Sequence, residues 1–288
     1  MTKLRNRTVL LTYCSSPLGY SFAVQLAQKG ASLVLWDTDA RLAQRIASEI
    51  TRLYGVVATA AQVDVRDKQQ VDEAARRLSE TGDAIRVSVV VHVSDSLGQQ
   101  CGHAFASKTP EQIVELLEMH TLSSLWLAKA LLPDIIDAKC GGHFVFMSSS
   151  TTFMGATSGV VDYAASKFAL VGLARGLRFE LDRLGGESGG RDGSKIQVTA
   201  ILAPFEHSKL AVAAATGGAL KPERGWLKPD MIAAKTILAI KRNKREVVLP
   251  AELGFLRALC VLLPQAWGDK LLEQLKYARA SKSAAVRE

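Results

Sequence analysis

Short apolar runs and amphipathic stretches alternate along this chain, and that alternation limits its fold more than any other feature. Thr8–Thr12 (TVLLT), Ser32–Trp36 (SLVLW), Val56–Val63, Val87–Val91 (VSVVV), Gly142–Met147, Ile196–Leu202 and Glu246–Leu249 read as strands. Between them, Pro17–Lys29, Ala40–Tyr54, Lys68–Ser79, Pro110–Ala138, Tyr163–Leu184 and Pro229–Arg242 carry helical spacing. Pro17 suits the first position of a helix and Gly30 suits its stop. A strand–helix unit repeated about six times at short spacing predicts an α/β fold with a doubly wound parallel sheet and right-handed crossovers. The unbroken run Val89-Val90-Val91 fits a sheet covered on both faces, where no strand position needs to be polar.

Nothing in the chain divides it. With 288 residues, 48% hydrophobic and 22% charged, it has the means to build a sizeable core. Residues 1–250 read as one α/β domain. Gly185–Gly193 reads as a surface loop inside it, and residues 208–226, beyond the strand ending at Leu202, as either a lid or a plain excursion. Residues 251–288 form an apolar helical extension and a basic tail. Leu253, Phe255, Leu256, Leu259 and Leu262 suit core packing or a dimer contact, with an in-plane membrane contact as the alternative.

The net charge of +8 is dispersed except at Lys241–Arg245 and in the tail, and the few aromatics do not interleave with it. No nucleic-acid partner is expected. Four well-separated cysteines without metal-ligand spacing fit a reducing compartment and no metal. No signal-peptide core and no run of about 18 apolar residues appears, so a cytoplasmic chain is expected, with peripheral contact to an intracellular membrane as the alternative.

The chemistry is concentrated in residues 148–167. An apolar run ends in Ser148-Ser149-Ser150; Tyr163 follows Ser150 by thirteen residues, and Lys167 follows Tyr163 by four. On a helix, that last spacing puts phenol and ammonium on one face. A neighbouring ammonium favours the phenolate, which suits a tyrosine to proton transfer near neutral pH. A serine at the strand end would hold the reacting oxygen.

Ser150, Tyr163 and Lys167 in this setting resemble the short-chain dehydrogenase/reductase family over roughly residues 7–250, with Ser149 as the alternative serine. Gly159–Ala169 and the Leu125-Trp126-Leu127 … Leu132-Pro133-Asp134 pattern are similar to the branch of retinol and 17-beta-hydroxysteroid dehydrogenases. The resemblance implies a Rossmann-like fold and hydride transfer between a nicotinamide cofactor and a lipophilic alcohol or ketone of the retinoid, steroid or fatty-alcohol class. It also implies a homodimer or tetramer paired through the helices of 110–138 and 163–184. Tyr163 would be the acid/base, Lys167 would tune it and hold the nicotinamide ribose, and Ser150 would stabilise developing charge on the substrate oxygen. His120 falls where the family has a relay asparagine, and is either a proton relay or a core histidine. Thr12, Ser15, Ser16, Leu18, Gly19, Asp37, Asp64, Val65, His92 and Pro204 fall at cofactor-contacting positions. Asp37 ends the second strand, where a carboxylate accepts from ribose hydroxyls and repels a 2′-phosphate, so NAD is preferred over NADP.

The cofactor loop departs from the family. T-G-x-x-x-G-x-G becomes Thr12-Tyr13-Cys14-Ser15-Ser16-Pro17-Leu18-Gly19, with one glycine left. Tyr13 adds bulk and disfavours positive φ, and Pro17 removes an N–H. N-N-A-G becomes His92-Val93-Ser94-Asp95, and Phe205 replaces a glycine after Pro204. Two readings follow: an active NAD-dependent oxidoreductase, or a catalytically silent scaffold that binds a ligand or protein partner.

Overall fold

The computed structural model describes residues 3–94, 104–138, 140–150, 152, 161–187, 196–203, 227–264, 266–268 and 270. Asp95, Pro204, Phe205, the lid candidate at 208–226 and the tail beyond 270 lie outside them. Among the described residues seven strands form one sheet: β1 (Thr8–Thr12), β2 (Ser32–Asp37), β3 (Ala58–Gln62), β4 (Val87–His92), β5 (His143–Ser149), β6 (Gln197–Ala203) and β7 (Glu246–Val248). Their order is β3-β2-β1-β4-β5-β6-β7, and every pair is parallel. This is the doubly wound parallel sheet that the strand–helix alternation predicts, in the Rossmann-like form that the family resemblance implies. The order reverses between β1 and β4, and the crevice at that switch point is where such sheets bind ligands.

The helices cover both faces. On one side pack α1 (Pro17–Gln28), α2 (Ala40–Tyr54) and the helix Pro229–Lys241, meeting the sheet through Phe22, Ile46, Ile50 and Ile237. On the other pack α3 (Lys68–Glu80), α5 (Ser123–Asp137) and α6 (Val161–Glu187), through Val71, Leu127, Ile135 and Leu170. Pro229–Lys241 is α7, and α8 (Glu252–Leu262) follows the last strand as the helical extension. β4 and β5 are buried along their whole length, as their continuous apolar sequence requires, whereas the edge strand β3 is half-exposed. No helix among the described residues is long and apolar enough to cross a membrane.

Helix starts follow local chemistry. Asp39, Asp67 and Thr109 each accept a backbone N–H of the first turn, and Thr109 forms a reciprocal capping box with Gln112. Each such cap contributes about 1 kcal/mol. Gly30, at φ 76°, ends α1 by donating its N–H to Ala27.

The expected single helix 110–138 is instead three pieces. α4 (Pro110–Leu117) leads into a π-turn at Glu118–Leu122, and α5 follows. The Ser123 and Ser124 hydroxyls donate to the Met119 and His120 carbonyls at 2.6 and 2.7 Å. Such back-bonding loosens the regular ladder, and the wider turn changes the direction in which His120 projects.

Candidate active site

Tyr163 and Lys167 lie in the first turns of α6, both buried. The Lys167 ammonium sits 5.4 Å from the Tyr163 ring centroid, so the i, i+4 spacing brings the two groups together. Lys167 Nζ donates to the carbonyls of Ser94 (3.2 Å) and Met147 (3.1 Å), and is 3.2 Å from Ser94 Oγ and 3.0 Å from His120 Nδ1. β5, the π-turn and the segment just after β4 therefore converge on one cation. His120 completes the cluster: Nδ1 lies 3.1 Å from Ser94 Oγ, and its ring meets the Tyr163 ring edge-on, with centroids 5.4 Å apart. An ammonium can only donate, so His120 accepts through Nδ1 and carries its proton on Nε2.

The strand end also holds α6. Ser148 Oγ donates to the Lys167 carbonyl at 2.8 Å, and Ser166 Oγ donates to the Tyr163 carbonyl at 2.7 Å. Ser149 ends β5, and Ser150 follows it, buried, with its N–H donated to Ala203 at 3.0 Å.

The other described residues expected to meet a cofactor lie at or just after the carboxyl ends of β1 to β4 or at the start of α1, and many of their polar groups are engaged within the chain. Thr12 Oγ1 accepts from Val93 N–H at 3.0 Å and lies 2.9 Å from His92 Nδ1. His92 Nε2 lies 2.9 Å from Ser123 Oγ, whose own proton goes to Met119, so His92 donates there. His92 has no solvent exposure, and burial, reinforced by the nearby Lys167 charge, lowers its pKa to about 3. It is a neutral bridge from β1 through β4 to α5.

In the turn after β1, Ser15 N–H donates to Asp37 Oδ2 at 2.9 Å and Ser16 N–H to the Tyr13 carbonyl at 3.2 Å. Ser16 caps α1, its hydroxyl accepting from Gly19 N–H at 3.0 Å and donating to the Tyr13 carbonyl at 2.9 Å. A Cβ on Gly19 would stand 1.8 Å from that carbonyl oxygen, which explains the one surviving glycine. Asp37 also accepts from Asp39 N–H at 3.1 Å, and the Cys14 thiol points at it from 3.6 Å. Burial first, and then the Asp37 charge, push the Cys14 pKa up to about 12. Leu18 and Val65 are buried in the two apolar layers.

Some site residues leave little trace in the sequence. Arg66 clamps Asp64 with Nε at 3.0 Å from Oδ1 and a terminal nitrogen at 2.7 Å from Oδ2, and this hydrogen bonding holds the Asp64 pKa below the usual carboxylate range. An acid two residues before a base is the only local signal for that pair. Met119 receives the Tyr13 hydroxyl at 3.0 Å. Lys108 reaches Asp162 across 54 residues, a pairing that spacing alone cannot reveal.

Comparison with known proteins identifies the family. Residues 7–204 match the family model described as short chain dehydrogenase. Human 17-beta-hydroxysteroid dehydrogenase 13 is 30% identical over 261 residues, covering 89% of this chain and 79% of its own. Retinol dehydrogenase 10 of Xenopus tropicalis is 26% identical, covering 88% and 78%. Among solved structures, the oxidoreductase yciK from E. coli superposes with a TM-score of 0.72 at 21% identity, covering 85% of this chain and 95% of its own. A short-chain dehydrogenase from Sphingobium yanoikuyae, in complex with NADPH, gives 0.68 at 24%, covering 90% and 97%. With the family model spanning well over half its length, this chain belongs to the short chain dehydrogenase family.

Proposed function

We propose that the protein is an oxidoreductase that interconverts a lipophilic alcohol and its ketone or aldehyde using a nicotinamide dinucleotide. The observation that carries this reading is the convergence of β5, the π-turn and the segment just after β4 on the Lys167 ammonium, 5.4 Å from the Tyr163 ring centroid. A buried lysine held by several acceptors is costly to build and has a use where a neighbouring phenol must exchange a proton.

A test of fit divides the groove. At the Tyr163 end, the cation, the phenol and the strand-end serines are of the kind that hold a nicotinamide ribose and a reacting oxygen. At the other end, Tyr13 stands where the family has a glycine. When bound, the cofactor supplies or receives the hydride. Tyr163 then exchanges the proton with the substrate oxygen, and Lys167 stabilises the phenolate electrostatically. His120 and Ser94, hydrogen-bonded to Lys167, form a polar path along which that proton is replenished. Ser150 is the preferred oxyanion donor over Ser149 because it lies thirteen residues before Tyr163, the spacing of the family's catalytic serine, and follows directly on the end of β5. Asp37, a buried carboxylate at the end of β2, supports NAD over NADP through its charge, even though backbone N–H groups already engage both its oxygens.

The lipophilic substrate class rests on the likeness to the 17-beta-hydroxysteroid and retinol dehydrogenases. Exposed Phe168, Phe179 and Leu125 on α5 and α6 support a homodimer or tetramer paired through those helices. The second reading, a catalytically silent scaffold, is favoured by one observation, the tyrosine in the cofactor turn.

The test is turnover of retinoid, steroid and fatty alcohols with NAD and NADP side by side, alongside cofactor affinity read by energy transfer from the four tryptophans to the reduced nicotinamide. Tyr163→Phe should cut turnover by about 10²–10⁴-fold and leave cofactor affinity nearly unchanged. Retained turnover would remove Tyr163 from the mechanism. Absence of cofactor binding at millimolar concentration would leave the silent scaffold.

A further inference from the structure

Tyr13 follows the last residue of β1, at the switch point of the sheet. Its backbone sits at φ 54°, in the left-handed region that a non-glycine residue occupies only at an energetic cost. Something must hold it there. The turn does so in part: Tyr13 N–H donates to Trp36 at 2.9 Å, and its carbonyl receives Ser16 N–H and Oγ. The side chain does the rest. Its ring packs against the apolar layers on both faces, so it lies across the carboxyl edge of the sheet. Its hydroxyl ends 3.0 Å from Met119 Sδ on the π-turn beyond β4.

Asp37, at the end of β2, and the Asp64–Arg66 pair, after β3, lie near enough for their charges to act on its phenol. Arg66 continues the wall to Glu115 on α4, 3.6 Å away. These are the elements against which the adenosine half of a dinucleotide lies in a sheet of this topology.

We infer that Tyr13 is a resident occupant of the adenosine half of the groove and sets the affinity for the dinucleotide. Binding requires the ring to leave Met119 and the two apolar layers. Apparent affinity is then reduced by the fraction of molecules in which the ring is out. The inference rests on the dinucleotide reading above only for the identity of the ligand; it concerns the adenosine end, remote from Tyr163.

The experiment is isothermal titration of ADP-ribose, nicotinamide mononucleotide and NADH into the full chain and into Tyr13→Gly, Tyr13→Ala and Tyr13→Phe. Glycine and alanine should each tighten ADP-ribose and NADH by about tenfold or more and leave the mononucleotide unchanged. Alanine keeps the backbone demand that tyrosine already meets, so it carries the same expectation if the glycine variant does not fold. Phenylalanine keeps the ring and loses only the hydroxyl–sulfur contact, so its gain should stay within about threefold. Equal affinities in wild type and both small variants, a gain seen with the mononucleotide instead, or no binding of ADP-ribose to any variant would each overturn the inference. Tight ADP-ribose binding in Tyr13→Gly without turnover on any alcohol would uphold it while removing the oxidoreductase reading.

Discussion

The Lys108 ammonium contacts both carboxylate oxygens of Asp162 at 2.6 Å, and the two side chains are 0% and 2% exposed. Asp162 Oδ1 also accepts the Tyr163 N–H at 3.0 Å. A buried ion pair thus joins the segment before α4 to the residue preceding the candidate acid/base. The cost of burying both charges is offset only while both are present. Lys108→Met or Asp162→Asn alone should therefore destabilise the fold by about 3–5 kcal/mol in urea unfolding. Lys108→Met combined with Asp162→Leu should recover most of that loss. Strict additivity of the two single costs would show that the charges do not compensate each other.

Two glycines make opposite predictions. Gly19→Ala places a Cβ 1.8 Å from the Tyr13 carbonyl oxygen, a backbone atom fixed by Ser16, so the turn must open. A loss of about 1–3 kcal/mol or more is expected. A Cβ added at Gly172, inside α6, would meet nothing within 4 Å, so Gly172→Ala should stabilise by about 0.5–1 kcal/mol. Thermal melts of the two variants check both signs, and a stable Gly19→Ala protein would mean the turn is looser than its hydrogen bonds imply.

The acid limb of the stability curve should carry a histidine signature. Burial lowers the pKa of His92 to about 3 and that of His143 to about 4, against an ordinary value of 6.5. Below pH 6.5 the unfolded chain takes up protons at these positions while the folded chain does not, so stability falls with pH until about 3 to 4. Each histidine contributes a slope of at most about 1.4 kcal/mol per pH unit. His92→Asn, which keeps a neutral hydrogen-bonding side chain, should flatten the limb between pH 6.5 and 4. Chemical denaturation at several pH values measures it, and an unchanged limb would assign the acid sensitivity to other groups.

How far the sequence reaches depends on whether a feature is local. The strand–helix alternation, Pro17 at a helix start, Gly30 at its stop and the i, i+4 relation of Tyr163 to Lys167 all follow from short-range geometry, and the structure shows each of them. The resemblance to the short-chain dehydrogenases likewise rests on spacings within one strand–helix unit. The break at Glu118–Leu122 was not legible, because apolar spacing is nearly the same for a straight helix and for one with a single wide turn. Only the paired serines hinted at it.

What the tertiary structure alone decided is which polar groups meet. Ser94 and His120 reach Lys167 because sheet order sets β4 beside β5 and the π-turn re-aims one ring. Lys108 finds Asp162 across 54 residues for the same reason. Tyr13 shows the division most clearly. Its bulk and its misfit to the glycine pattern are written in the sequence. That its ring bridges both apolar layers and ends on Met119 depends on three elements meeting at the switch point, and no local pattern records such a meeting.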